Sequence, residues 1–201
     1  MMLCYLEHEK VVVRFLSLYL LGLALFFVSW TLSYLFLPEG LIRGLLPFTK
    51  ITGDAAAESL LKELFTIFGV NLMGFLAIII GNYILRVRSI AFGYLIPLAW
   101  MMMYGLILGT NSFSIPLAEP LAPALTVFSR SGLYEMAGAV LLAVATNSIS
   151  TNRSETFRSP STPVPKQERS SLKPDQWIAA TLSILILAAA ALREAYMVMQ
   201  A

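Results

Sequence analysis

Five stretches of this chain are so apolar that only one solvent suits them, the interior of a lipid bilayer. They cover residues 15–37, 64–85, 90–109, 132–149 and 177–192. A helix needs about 20 apolar residues to cross a hydrocarbon layer about 30 Å thick, and these runs approach or exceed that length. In hydrocarbon every backbone N–H and C=O must find a partner inside the structure, which makes each isolated run a helix. Composition agrees, because 58% of the 201 residues are hydrophobic and 13% charged, too few charges to coat a water-soluble domain. The expected fold is all-α: a polytopic transmembrane helical bundle of about five spanning helices, forming one integral membrane domain over residues 1–201.

The segments between the runs set the connections. Lys10 and Arg14 precede the first run, as in a signal peptide, but the run is long and no A-x-A-like site precedes Pro38, so it reads as a retained helix. Pro38-Glu39-Gly40 ends it, and Trp30, Tyr34 and Phe36 lie toward that end, at headgroup level. Asp54 to Lys62 reads as an amphipathic surface helix capped by Asp54. Only a short turn with Arg86 and Arg88 separates the second and third runs, which must form an antiparallel hairpin. Pro97 should kink the third. Pro116, Pro120 and Pro123 exclude a regular spanning helix over 110–130, leaving an outer loop or a short re-entrant segment. Residues 150–176, rich in Ser, Pro and charge, read as a flexible polar loop.

Charge fixes an expected orientation. With five crossings, Lys10, Arg14, Arg86, Arg88, Arg153, Arg158, Lys166, Arg169 and Lys173 share one side, and Arg43, Lys50, Lys62, Arg130 and Arg193 the other. Excess Lys and Arg mark the cytoplasmic face, which places the N-terminus inside and the C-terminus outside. The basic residues form no stripe, so nucleic acid is not an expected partner. Cys4 stands alone and cannot form an internal disulfide.

The chain offers little chemistry. His8 is the only histidine and lies outside the runs, and Asp54 and Asp175 are both in loops. No His/Cys/carboxylate spacing suits a metal, no serine–histidine or paired-aspartate arrangement falls in a run, and no phosphate loop is present. A non-enzyme without cofactor or metal is expected. The clues that remain are polar or small residues within the runs. Asn71 reads either as an interhelical hydrogen bond that fixes packing or as a ligand contact. Glu135 reads either as a carboxylate at a helix N-terminus paired with Arg130 or as part of a binding site at the membrane's outer edge. Gly105 and Gly109 form GxxxG, Ala77 and Gly81 a second small pair, and Ala139 and Ala143 a third. Such pairs allow close helix packing within the bundle or between copies of the chain in a homo-oligomer. Met101 to Met103 supply adaptable apolar surface.

Four motifs, IFGVN at 67–71, YGLILG at 104–109, RSGLYEMAGAVLLAVAT at 130–146 and AAAALREAYM at 188–197, follow in an order that resembles the stage II sporulation protein M family of bacterial multi-pass membrane proteins. IFGVN at 67–71 places Asn71 where the family has asparagine, and YGLILG at 104–109 matches its glycine-bearing segment. RSGLYEMAGAVLLAVAT at 130–146 matches its glutamate and small-residue helix, and AAAALREAYM at 188–197 its Ala-rich terminal helix with Glu194. Tyr104 replaces an asparagine and Arg130-Ser131 a Pro-His pair, which leaves Gly132 and Glu135 as the retained core. The resemblance implies an anchor in the bacterial cytoplasmic membrane that organises membrane or envelope protein partners. Two functional expectations result: a non-enzymatic membrane anchor or assembly subunit, and a component of a transporter or permease for a small solute, with Asn71, Glu135 and Glu194 lining a polar path.

Overall fold

The computed structural model describes residues 2–45, 58–113, 116–156, 158–169 and 171–200. Its helices are α1 (Met2–Leu6), α2 (Val11–Phe36), α3 (Leu60–Ile84), α4 (Leu95–Gly109), α5 (Gly132–Ala145) and α6 (Pro174–Gln200). Short strands β1 (Arg86–Val87), β2 (Ile90–Ala91), β3 (Asn152–Ser154) and β4 (Thr162–Pro163) form a small sheet in the order β2-β1-β3-β4. β1 pairs antiparallel with β2 and parallel with β3, and β3 antiparallel with β4.

Among the described residues, four helices are long and apolar enough to cross a membrane: α2, α3, α6, and Phe92–Gly109, which is α4 with its leading 3-10 turn. The protein is a multi-pass membrane protein. α2 starts before the expected 15–37, and α6 extends past 177–192 at both ends.

The run at 132–149 differs. Its helix α5 has 14 residues, about 21 Å, which is less than the hydrocarbon thickness. The reason is position. Eleven of those residues are buried, so α5 lies among the other helices, and lipid thickness does not set its length. It still crosses the bundle. At its end Val144 O accepts from Arg14 near the start of α2 (3.1 Å), and Ala143 O from Asn82 near the end of α3 (2.8 Å). Its start lies beside Tyr104 and, through Ser131, Glu194 near the opposite ends of α4 and α6. The end of the bundle that carries the sheet is here the sheet side, and the other the far side.

The tightest helix pair is α2 with α4, and small residues explain it. A Cβ added at Gly105 would strike Ser29 and the backbone of Phe26, and one at Gly109 would strike Ser33 and the backbone of Trp30 and Tyr34. Across this seam Ser29 Oγ donates to Met102 O (3.0 Å) and Ser33 Oγ to Gly105 O (3.3 Å). Gly81 meets the backbone of Gly93, Ala139 and Ala143 are fully buried, and Ala77 is exposed. Met101 packs on Gly22 of α2.

Pro97 does not interrupt its helix. It is the third residue of α4, where backbone N–H groups have no intrahelical acceptor, so its missing donor breaks nothing. Asp54 lies outside the described residues; α3 is instead capped by Ser59 Oγ, which accepts from Lys62 N (3.3 Å). The segment 150–176 holds β3, β4 and a 3-10 turn. Main-chain bonds tie it to α3 and to itself, Thr151 N to Tyr83 O (2.7 Å) and Val164 N to Thr151 O (2.8 Å), with Val164 buried.

Candidate functional site

The stretch after α4 explains why a site forms. From Asn111 the chain turns back along the bundle, held at Asn111 by Leu117 (N to Oδ1, 2.9 Å) and at Leu121 O by Trp30 Nε1 (2.7 Å). Trp30 lies six residues before the end of α2, about 9 Å inside that end. Val127, further along, is buried. The segment therefore descends along the side of the bundle, largely exposed with Val127 tucked in, and Leu133 and Glu135 in the first turn of α5 are buried.

That descent carries Glu135 inward. Its carboxyl lies beside the Asn71 and Glu194 side chains. Asn71 is the twelfth of the 25 residues of α3, about 16 Å from the far end and near mid-depth. Glu135 therefore sits inside the bundle between Asn71 and Glu194, which lies six residues before the end of α6. The expected ion pair of Glu135 with Arg130 is absent: no such pair within 4.0 Å occurs among the described residues, whose ion pairs are Arg43–Glu39, Lys62–Glu58 and Arg153–Glu168. Arg130 precedes α5 on extended backbone, while Glu135 faces α3 and α6.

Glu135 is 6% exposed, and its Oε1 is buried without a hydrogen-bond partner. Glu194, half-buried on α6, accepts from Ser131 Oγ (3.2 Å). Both carboxyls line a cavity of about 570 Å³, together with Arg130 and the aromatic rings of Trp100, Tyr104 and Phe113. Tyr104 stacks on Phe26 (5.5 Å between ring centroids) and covers Gly132, where a Cβ would strike the ring. Two neighbouring carboxyl groups, one of them buried, attract a partner offering positive charge or a hydrogen. The rings add faces that attract cations.

Of the residues singled out in the sequence, Asn71, Glu135 and Glu194 come together from three helices, and Gly132 lies at the cavity wall. Gly105 and Gly109 do not join them, because both belong to the α2–α4 seam. Trp100 joins the site without a distinctive sequence signal, since aromatic residues occur throughout the chain, and Tyr104 and Ser131, noted only as replacements within the resembled motifs, join it too. Among the described residues no group of three or more His, Cys, Asp or Glu gathers to hold a metal ion.

A second polar cluster lies at the sheet-side end of α5. Arg14 donates to His8 O (2.7 Å), Glu9 O (3.0 Å) and Val144 O. Asn82 donates to Ala143 O and to Thr146 Oγ1 (2.7 Å), and its own carbonyl accepts from Ser150 Oγ (2.6 Å). Asn82 went unremarked in the sequence, although an amide inside an apolar run carries the same signal as Asn71.

No protein-family model, no curated protein and no solved structure matches this chain.

Proposed function

We propose that the chain is a solute-binding component of a membrane transporter or permease, and that the Glu135–Glu194 cavity takes a small organic cation. The observation that carries this reading is Glu135 itself: a carboxyl near mid-depth of a bundle, one oxygen unpartnered, facing a cavity walled by aromatic rings. Ionisable groups inside a membrane are costly and mark substrate or ion paths, and the cavity volume falls in the range of small-molecule sites. An anchor has no use for such a group. Of the small-residue pairs that suggested an anchor or a homo-oligomer, Gly105–Gly109 and Ala139–Ala143 are used inside the chain, at the α2–α4 seam and within α5, while Ala77 is exposed.

The sheet side faces the cytoplasm in this proposal, in a bacterial cytoplasmic membrane, following the excess of Lys and Arg there. The cavity then belongs to the outer half of the protein. A reporter fused after Ala201 should be extracytoplasmic, and a cytoplasmic signal would reverse the assignment. The resemblance to the stage II sporulation protein M family fits the convergence of its matched positions Asn71, Gly132, Glu135 and Glu194, and it keeps membrane or envelope protein partners in view.

The deciding experiment is uptake of a labelled quaternary ammonium ion into proteoliposomes, paired with equilibrium binding to the detergent-purified protein. Wild-type protein should bind and take up the ion saturably, and Glu135→Gln should lower both by about tenfold or more, the worth of one buried charge contact. An anchor gives no flux in either form. Absence of binding by wild-type protein would end the reading.

A further inference from the structure

The sheet, which lies outside the cavity reading, builds a second site. β1 begins two residues after the end of α3 and β2 ends just before Phe92, so the sheet caps the bundle where these two apolar helices end and begin. Parallel pairing sets Arg86 opposite Arg153, and the β3–β4 pairing sets Thr162 opposite Arg153. Side chains alternate along a strand, so these three share one face while Val87 and Ser154 are buried on the other. Arg88 follows in the turn after β1. Together they line a cleft of about 860 Å³, with Glu155 also at its wall.

Two features of this arrangement run against local preference. Like charges directly opposite each other weaken a strand pair, yet the register matches two arginines. Arg88 has a φ of 54°, in the left-handed region that favours glycine, and it is held there by its N–H donating to Ser154 O (2.8 Å). Arg153 has Glu168 as an ion-pair partner at 3.1 Å. Among the described residues no carboxylate lies within ion-pair distance of Arg86 or Arg88.

We infer that this cleft binds a phosphate group through Arg86, Arg88 and Arg153, and that its source is the headgroup of an anionic phospholipid. Guanidinium groups match phosphate oxygens in paired hydrogen bonds, and the sheet and its turn set three arginines around one cleft before any ligand arrives. Depth argues for a lipid source, since the cleft opens where the apolar part of α3 ends.

Native mass spectrometry of the full chain in detergent tests this, with phosphatidylglycerol and phosphatidylcholine as probes and inorganic phosphate as competitor. Wild-type protein should retain phosphatidylglycerol in preference to phosphatidylcholine. The double variant Arg86→Gln/Arg88→Gln should lose that lipid by about tenfold or more, from the loss of two headgroup contacts, while Lys62→Gln on the far side should not. Arg88→Gly guards against a folding artefact, because glycine relieves the left-handed backbone; its melting temperature should hold or rise while lipid retention falls. Displacement of the lipid by inorganic phosphate supports recognition through the phosphate. Phosphate binding without lipid retention would overturn the lipid source. Equal lipid retention by wild type and by a folded Arg88→Gly or double variant would overturn the site.

Discussion

At its C-terminal end α5 gives its last carbonyls to Arg14 and Asn82, whereas at its N-terminal end it carries a carboxyl that no backbone group meets. Both clusters are buried, and both hold polar groups inside an apolar bundle. Their partners differ. Arg14 and Asn82 bond to main-chain oxygens and to Thr146, positions that the helices themselves fix. Each leaves one atom over, Arg14 Nε and Asn82 Oδ1, on a side chain that other bonds already anchor. Glu135 has for neighbours the side chains of Asn71 and Glu194 and the open cavity, all of which can rearrange around a guest. The sheet-side end closes the helix, and the far-side end receives.

This contrast predicts opposite responses to removing the polar group. Arg14→Met should have the largest effect on stability, about 3 kcal/mol in unfolding from mixed micelles, because three carbonyls lose a charged donor in a buried setting. It also removes a cation from the C-terminal end of α5, where the helix dipole favours one. Asn82→Leu should follow at about 2 kcal/mol, since it leaves Ala143 O without its donor and strips Thr146 Oγ1 of one of its two bonds. If either variant unfolded like wild type, the sheet-side bonds would have no structural role and the comparison would fail.

Much of this architecture could be read from the apolar runs, since each of the five became a helix and the Arg86–Arg88 turn joins its neighbours as expected. What escaped has physical causes. Hydropathy reports that 132–149 is apolar but not that α5 is enclosed by protein, and enclosure is what frees it from lipid thickness. The strands are two or three residues long, too short for an alternating pattern, and their pairing joins residues 86 and 153 far apart in sequence. At the candidate site the three polar residues were visible one by one as exceptions within apolar runs. The transporter expectation already set them along one polar path, but how they meet was not legible, because it depends on how far the Pro-rich segment descends before Gly132, a distance set by Trp30 and Leu121 rather than by any local signal.

Glu135→Gln should change stability by less than about 1 kcal/mol, or raise it, because replacing an ill-paired buried carboxyl with a neutral amide relieves a desolvated acid. The measurement is the same mixed-micelle unfolding, and a loss as large as that of Asn82→Leu would make Glu135 a structural anchor like its sheet-side counterparts.

Ser131→Ala gives the smallest and most selective effect. Ser131 Oγ donates to Glu194 at 3.2 Å and touches α5 only through the turn that starts it, so its hydroxyl orients Glu194 without holding the helix. Interhelical hydrogen bonds of this kind are worth about 0.6 kcal/mol in membrane proteins, a shift near the limit of an unfolding measurement. Ligand binding is the sharper readout: a carboxyl freed from Ser131 must be reoriented when the cation arrives, so affinity should fall by about two- to threefold while unfolding stays within error. If affinity stays unchanged in Ser131→Ala but falls in Glu135→Gln, Glu194 is a bystander and Glu135 carries the cavity's charge alone. If affinity falls in both, the two carboxyls act as a pair, which is the property that separates the far-side end of α5 from the end closed by Arg14.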